Sequence, residues 1–408
     1  MKIINDILEI IKKEEKRQQE TIELIASENI TSKNIRFACG SILTNKYAEG
    51  YPSKRCYSGC VNVDEIEEIA INSCKKLFSC KFANVQAHSG SNANEIAYFS
   101  LLEPKDRILG MSLDSGGHLT HGYKVNFSGK NYTSFSYSLN EEGFFDFEEI
   151  ERQAKEIKPK LIIAGASAYP RKIDFKRFRE ISDSVGSYLM VDMAHIAGLV
   201  ATDNHLSPVK YADVITSTTH KTLRGPRGGF IITDNEDISK KIDKACFPGF
   251  QGGPLEHIIA GKAICFQEAL MPSFKEYQDQ VLKNSKVFEK EFIKRGFDLI
   301  TGGTDNHLLL LDLRNKRITG KKAEEVLEKC NISVNKNAIL NDPEKPFVTS
   351  GIRIGTPAIT TRGVKEDGIE IISGFIDEVL SDIENIEKQN NIKQKVISFL
   401  EKYPIKDI

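Results

Sequence analysis

Val214-Ile215-Thr216-Ser217-Thr218-Thr219-His220-Lys221-Thr222-Leu223-Arg224-Gly225-Pro226-Arg227-Gly228-Gly229 is the stretch on which the chain turns. It opens as a short apolar, β-branched run, the signature of a buried strand. It then presents one lysine among hydroxyls and a histidine, and turns sharply through Gly225, Pro226, Gly228 and Gly229. Desolvation just past the end of a buried strand lowers an amine's pKa toward the range in which it is a nucleophile. Such a lysine suits a Schiff base with a carbonyl substrate or with pyridoxal phosphate. The plain alternative is a solvated lysine at the start of a loop, and the rest of the sequence has to decide.

The composition sets the bounds. A chain of 408 residues exceeds one small core, so two domains are expected. Fifty-six basic against fifty-seven acidic residues leave a formal charge of -1, which argues against a nucleic-acid or membrane-surface protein. The eight cysteines form no Cys-x-x-Cys pair and no zinc-spaced cluster, so no metal is expected and all are read as reduced thiols of a cytoplasmic protein. Ile4, Ile7, Leu8 and Ile11 recur at helical spacing among charges, unlike a signal peptide, and no stretch approaches a membrane span. We find no internal repeat and no low-complexity segment.

Outward from the lysine, apolar runs alternate with helical periodicity. Strands are expected at 83–86, 107–111, 132–137, 161–167, 188–195 and 229–233, with helices at 63–78, 96–102, 147–158 and 175–185. That rhythm predicts an α/β fold with a mostly parallel sheet covered on both faces. Residues 23–29 and 43–59 read as long irregular segments whose tyrosines speak against disorder. Helical periodicity from 255 to about 295 is interrupted near Pro272, and beyond it strands near 297–300, 308–313, 332–334 and 352–354 with helices at 321–330 and 369–385 describe a smaller α+β domain. The expected division is an N-terminal arm over 1–25, a large domain over 26–271 and a small domain over 272–408.

Three further features converge. Asp192 ends an apolar run, where a carboxylate is expensive to bury unless a cationic group meets it, either a structural arginine or a protonated ring nitrogen. Ser89-Gly90-Ser91 before a helix offers N–H groups and hydroxyls to a phosphate, or is simply an N-cap. It has neither Walker nor G-x-G-x-x-G spacing. Arg353, in the run 351–355, is either a carboxylate-binding guanidinium or an ordinary salt-bridge arginine. Ligand sites of open α/β sheets lie at the carboxyl ends of strands. Asp192 and Lys221 at neighbouring strand ends, with His195 beside the same opening and a phosphate seat, describe a pyridoxal-phosphate site.

The blocks 24–29, 45–52, 116–122, 191–195, 217–229 and 349–358 resemble those of the serine hydroxymethyltransferase family across nearly the whole chain. The resemblance implies the type I pyridoxal-phosphate transferase fold (aspartate-aminotransferase-like), a large domain with a seven-stranded sheet, and a homodimer with shared active sites. In that likeness Lys221 carries the cofactor, Asp192 pairs with its ring nitrogen and His118 stacks on the ring. Ser167 and His195 lie near the phenolic oxygen, and Ser89, Gly90 and Ser91 hold the phosphate, joined by Tyr47 and Gly253 of the other subunit. Ser27 and Arg353 take the substrate carboxylate. Glu49 and Tyr57, also from the other subunit, face the serine hydroxymethyl group, and Thr218 and His220 support the lysine side. Leu113, Gly117, His118, Leu119, Asn337, Lys345, Pro346 and Phe347 match the folate-binding positions.

The implied reaction is reversible transfer of serine C3 to tetrahydrofolate, giving glycine and 5,10-methylenetetrahydrofolate. A partly desolvated Glu49 would manage the serine hydroxyl proton, help worth roughly 10²–10⁴-fold. Cys56, Ser58, Asn92 and Ser115 depart from residues common in the family, and none removes a side chain with an assigned role. The rival readings are a threonine aldolase of the same fold, an aminotransferase, and a non-catalytic regulatory or RNA-binding protein on this scaffold.

Overall fold

A computed structural model describes residues 2–406. The chain forms two compact units, Thr31–Gln278 and a second made of Met1–Ile30 with Asp279–Ile408. The N-terminal segment joins the second unit because Ile22–Glu23 pairs in parallel with Ile332–Ser333.

The larger unit is built on seven strands: Phe82–Asn84 (β1), Arg107–Met111 (β2), Thr133–Tyr137 (β3), Leu161–Ala164 (β4), Tyr188–Asp192 (β5), Val214–Thr218 (β6) and Gly229–Thr233 (β7). Their order is β1-β7-β6-β5-β4-β2-β3. Strand β7 is antiparallel to both of its neighbours, and the other pairings are parallel. Strands β4, β6 and β7 are buried along their whole length, as expected for a sheet covered on both faces. Helices Gly90–Leu101, Phe147–Ile157 and Phe175–Val185 connect the strands.

The first of these helices begins six residues earlier than its apolar periodicity suggests. Ser89 is its N-cap, accepting from Asn92 N, so Gly90 and Ser91 are its first helical residues. Strand β1 is also shorter than expected: Val85, Gln86 and Ala87 continue past it with their carbonyls taken by side chains. The tyrosine-bearing segment holds a 3₁₀ turn, Ile42–Asn45, and a small hairpin, Gly50–Tyr51 against Lys54–Arg55.

The second unit carries an antiparallel sheet of Asp298–Leu299 (β8), Leu308–Asp312 (β9), Asn335–Asn337 (β10) and Gly351–Gly355 (β11), ordered β8-β9-β11-β10. Its core joins Ile352 and Ile354 to Phe288, Phe292, Ile372 and Val396. The helix expected to run to residue 385 stops at Leu380, and a further helix, Ile386–Leu400, starts from the N-cap Asn385. Among the described residues no helix is long and apolar enough to cross a membrane.

Candidate active site

Parallel pairing of β5 with β6 puts Asp192, the last residue of β5, opposite Thr216 in the middle of β6. Side chains at the end of β6 and beyond it then bind the segment beyond β5. Thr218 Oγ1 donates to Ala194 O at 3.5 Å and Thr222 Oγ1 to His195 O at 3.0 Å. Lys221 therefore lies in a turn fastened on both sides to the residues that follow Asp192. His118 feels the charges of both Asp192 and Lys221.

The carboxylate of Asp192 is held by three donors. Asn94 Nδ2 and His121 Nε2 reach Oδ2 at 2.9 and 3.2 Å, and Ala194 N reaches Oδ1 at 3.0 Å. Burial pushes this acid up, but hydrogen bonding and charge from His121 outweigh it and hold the pKa well below the usual carboxylate range. Within the chain the buried aspartate is met by N–H donors from a histidine ring, a side-chain amide and the backbone, and by no arginine or lysine ion pair among the described residues. Neither Asn94 nor His121 stands out in the sequence. His121 lies inside a motif quoted for its other residues, and Asn94 is one of several polar residues in the first turns of its helix.

A second layer fixes these donors. Thr216 Oγ1 donates to Asn94 Oδ1, and Asn94 Nδ2 also donates to Thr120 Oγ1 at 2.7 Å. His118 Nδ1 and Thr120 Oγ1 are 2.7 Å apart. Burial, reinforced by His121, lowers His118 to about 4, so it presents a neutral ring at physiological pH. His220 is lowered to about 3 by burial and by the charges of Lys221 and Arg227, and its buried Nδ1 has no hydrogen-bond partner. The backbone N–H of Ser167 donates to Gly116 O at 2.8 Å, so that loop packs against the turn before His118.

The residues present fit pyridoxal phosphate. Ser89 caps a twelve-residue helix, whose N-terminus favours an anion. Only glycine fits the cradle. A Cβ on Gly90 would stand 2.5 Å from Thr218 Cγ2, and one on Gly229 would stand 2.3 Å from Ser89 O. The helix N-terminus at Ser89, the lysine turn and the anchored carboxylate all belong to one unit. Beside them, Leu113, His118 and His121 line a cavity of about 300 Å³.

Tyr47, Glu49, Tyr57, Gly252 and Gly253 form a further cluster in the same unit. Tyr47 Oη donates to Glu49 Oε1 at 3.2 Å, and the Tyr47 and Tyr57 rings meet edge to face at 5.3 Å. A Cβ on Gly253 would lie 3.2 Å from the Tyr47 ring. Arg55 anchors this loop: Nη1 donates to Ala48 O and Gly50 O, on either side of Glu49, and Nη2 to Glu67 at 2.7 Å. Both tyrosines remain about half exposed, at 54% and 49%. Glu49 raises the pKa of Tyr57.

In the second unit Arg353 sits at the centre of β11, 8% exposed, with Nε donating to Asn335 Oδ1 at 3.0 Å. Burial lowers it to about 10, which leaves it charged at neutral pH. Gly355 N donates to Leu24 O at 2.7 Å, bringing the Ser27 loop to the same strand's end. Asn337 pairs with Gly351 across β10 and β11. Lys345 O caps the turn to Thr349, and Phe347 is 83% exposed.

Known proteins resemble this chain closely. A family model described as serine hydroxymethyltransferase matches residues 2–376. A serine hydroxymethyltransferase of Rickettsia canadensis (strain McKiel) is 58% identical over 394 residues, 96% of this chain and 94% of that protein. One from Lactobacillus johnsonii is 58% identical over 97% of both chains, and one from Dichelobacter nodosus 55% identical over 98% of this chain and 96% of its own.

Proposed function

The chain belongs to the serine hydroxymethyltransferase family, and from that premise we propose how its residues carry out the family's reaction. It is a pyridoxal-phosphate-dependent transferase that moves serine C3 reversibly to tetrahydrofolate, yielding glycine and 5,10-methylenetetrahydrofolate. When bound, the cofactor supplies an electron sink for the pair released at the substrate Cα.

Lys221 holds the cofactor covalently, and Ser89, Gly90 and Ser91 hold its phosphate at the helix N-terminus. Asp192 keeps the ring nitrogen protonated. The observation that carries this assignment is the grip of Asn94, His121 and Ala194 on that carboxylate, which keeps it ionised and aimed at the strand end. His118, neutral, offers a face for ring stacking, and Ser167 and His195 serve the phenolic oxygen. Thr218 and His220 keep the Lys221 turn in place. Arg353, with Ser27, binds the amino-acid carboxylate. Leu113, Gly117, Leu119, Asn337, Lys345, Pro346 and Phe347 bind the folate.

Glu49 and Tyr57 manage the serine hydroxyl proton across the interface of a homodimer, with Tyr47 and Gly253 reaching the other subunit's phosphate. The half-exposed Tyr47 and Tyr57 support this reading. So do Ile3, Ile4, Ile7, Leu8 and Ile11 of the first helix, each at least 50% exposed. Free thiols at all eight cysteines favour a reducing, cytoplasmic setting.

The test is serine cleavage by purified protein with and without tetrahydrofolate, alongside Lys221→Arg. Folate-dependent cleavage is expected, with turnover abolished and the absorption band of the covalently held cofactor lost in the variant. Full activity of Lys221→Arg, or equal rates without folate, would overturn the assignment.

A further inference from the structure

A buried lysine lies close to the site. Lys262, 1% exposed, belongs to helix Glu256–Ala269 and directs its ammonium at three main-chain carbonyls: Val85 O at 2.6 Å, Gly229 O at 2.8 Å and Ala87 O at 2.9 Å. All three ammonium hydrogens are engaged, so this amine has no lone pair to offer and is no nucleophile. Burial lowers its pKa to about 8, partly offset by Cys246, Glu67 and Glu256, so the cation persists at neutral pH.

The carbonyls it holds belong to the two segments that shape the anion seat. Val85–Ala87 is the stretch where β1 has left its ladder just before Ser89. Gly229 closes the turn that carries Lys221. Gly229 N donates to Ala87 O at 3.0 Å, and Thr219 N to Gly228 O at 3.1 Å. Gly228 leaves no room for a Cβ, which would fall 2.5 Å from Lys262 Cε. Gln251 completes the brace, donating to Gln86 O at 2.9 Å and accepting from His88 N at 3.0 Å.

We infer that Lys262 is a positioning residue for the cofactor phosphate, fixing the Val85–Ser89 backbone to the Gly228–Gly229 turn so that the N–H groups of Gly90 and Ser91 converge on one anion. This rests on the assignment of Ser89–Ser91 as the phosphate seat. A backbone corner joined to β7 by one main-chain bond past the end of β1 is held by a charge-assisted three-point clamp, and that cation also favours an anion nearby.

The experiment compares pyridoxal phosphate with pyridoxal, which lacks the phosphate, in titrations of the full-length protein after removal of its cofactor. Wild type is to prefer the phosphate ester strongly; no preference would sink the phosphate seat itself, independently of Lys262. In Lys262→Met we expect affinity for pyridoxal phosphate to fall at least about tenfold while that for pyridoxal changes less than about threefold. Equal losses for both ligands, or none, would overturn the inference. If Lys262→Met does not fold, Lys262→Gln, which keeps two N–H donors without the charge, enters the same comparison. Failure of both variants to fold would assign the lysine to folding alone and equally overturn it.

Discussion

Asp192 shows what one residue's surroundings decide. A carboxylate at a buried strand end stays charged because His121, Asn94 and Ala194 N all donate to it. Asp192→Asn removes the charge while keeping the shape, and is expected to lower kcat by about 10²-fold or more, the scale of losing one preorganised electrostatic contact. Steady-state kinetics beside a cofactor titration would check this, and an undiminished kcat would refute the pairing with the ring nitrogen. His118 and His220 are the reverse case, kept neutral by burial at about 4 and about 3 against an ordinary 6.5. Between pH 6.5 and 4 the unfolded chain binds protons that the folded chain refuses. The stability linked to these histidines is therefore complete above about pH 6.5 and drains away on acidification, by roughly 1.4 kcal/mol per pH unit for each. Urea unfolding at pH 7 and pH 5 would measure it, and His118→Asn should flatten the dependence. A variant with the wild-type slope would show that burial does not keep His118 neutral.

At the scale of elements, the decisive contacts are close approaches of backbone. Gly229, the first residue of β7, lies so near Ser89 that a single methyl would stand 2.3 Å from its carbonyl oxygen. Because that neighbour is main chain, it cannot swing aside. Gly229→Ala should cost about 1–3 kcal/mol by overpacking and should weaken cofactor binding by displacing the helix N-terminus. Chemical denaturation and a cofactor titration would test this; normal stability and affinity would show that the corner yields freely. The helix from Gly90 also illustrates where sequence periodicity stops. Apolar residues mark Ile96 onward, but the functional turn lies earlier, where Ser89 caps and glycine, serine and asparagine carry no apolar signal.

On the scale of the whole molecule, the proposed homodimer would complete each Lys221–Asp192 group with the Glu49–Tyr57 group of the other subunit. A complementation experiment follows. Lys221→Arg and Glu49→Gln should each be nearly inactive, but hybrids formed on mixing and reassociation own one site with both native residues. Random pairing of equal amounts makes half the dimers hybrids, each with one intact site of two, so about a quarter of wild-type activity should return. No recovery, despite proven hybrid formation, would mean that each chain supplies its own glutamate.

The sequence alone determined the alternation of strands and helices, the strand-end positions of Lys221 and Asp192, and the glycines that only a close-packed turn needs, because these follow from local periodicity and turn chemistry. It also carried the motifs that identify the family. Tertiary structure decided which groups meet Asp192, that Lys262 and Gln251 brace the segment that follows β1, and that the N-terminal segment joins β8–β11's unit through Ile22–Glu23. Those contacts join residues as far apart in the chain as Ile22 and Ile332. Hydrogen-bond partners and charges brought together by the fold leave no periodic trace in the chain, so only the packed structure reveals them.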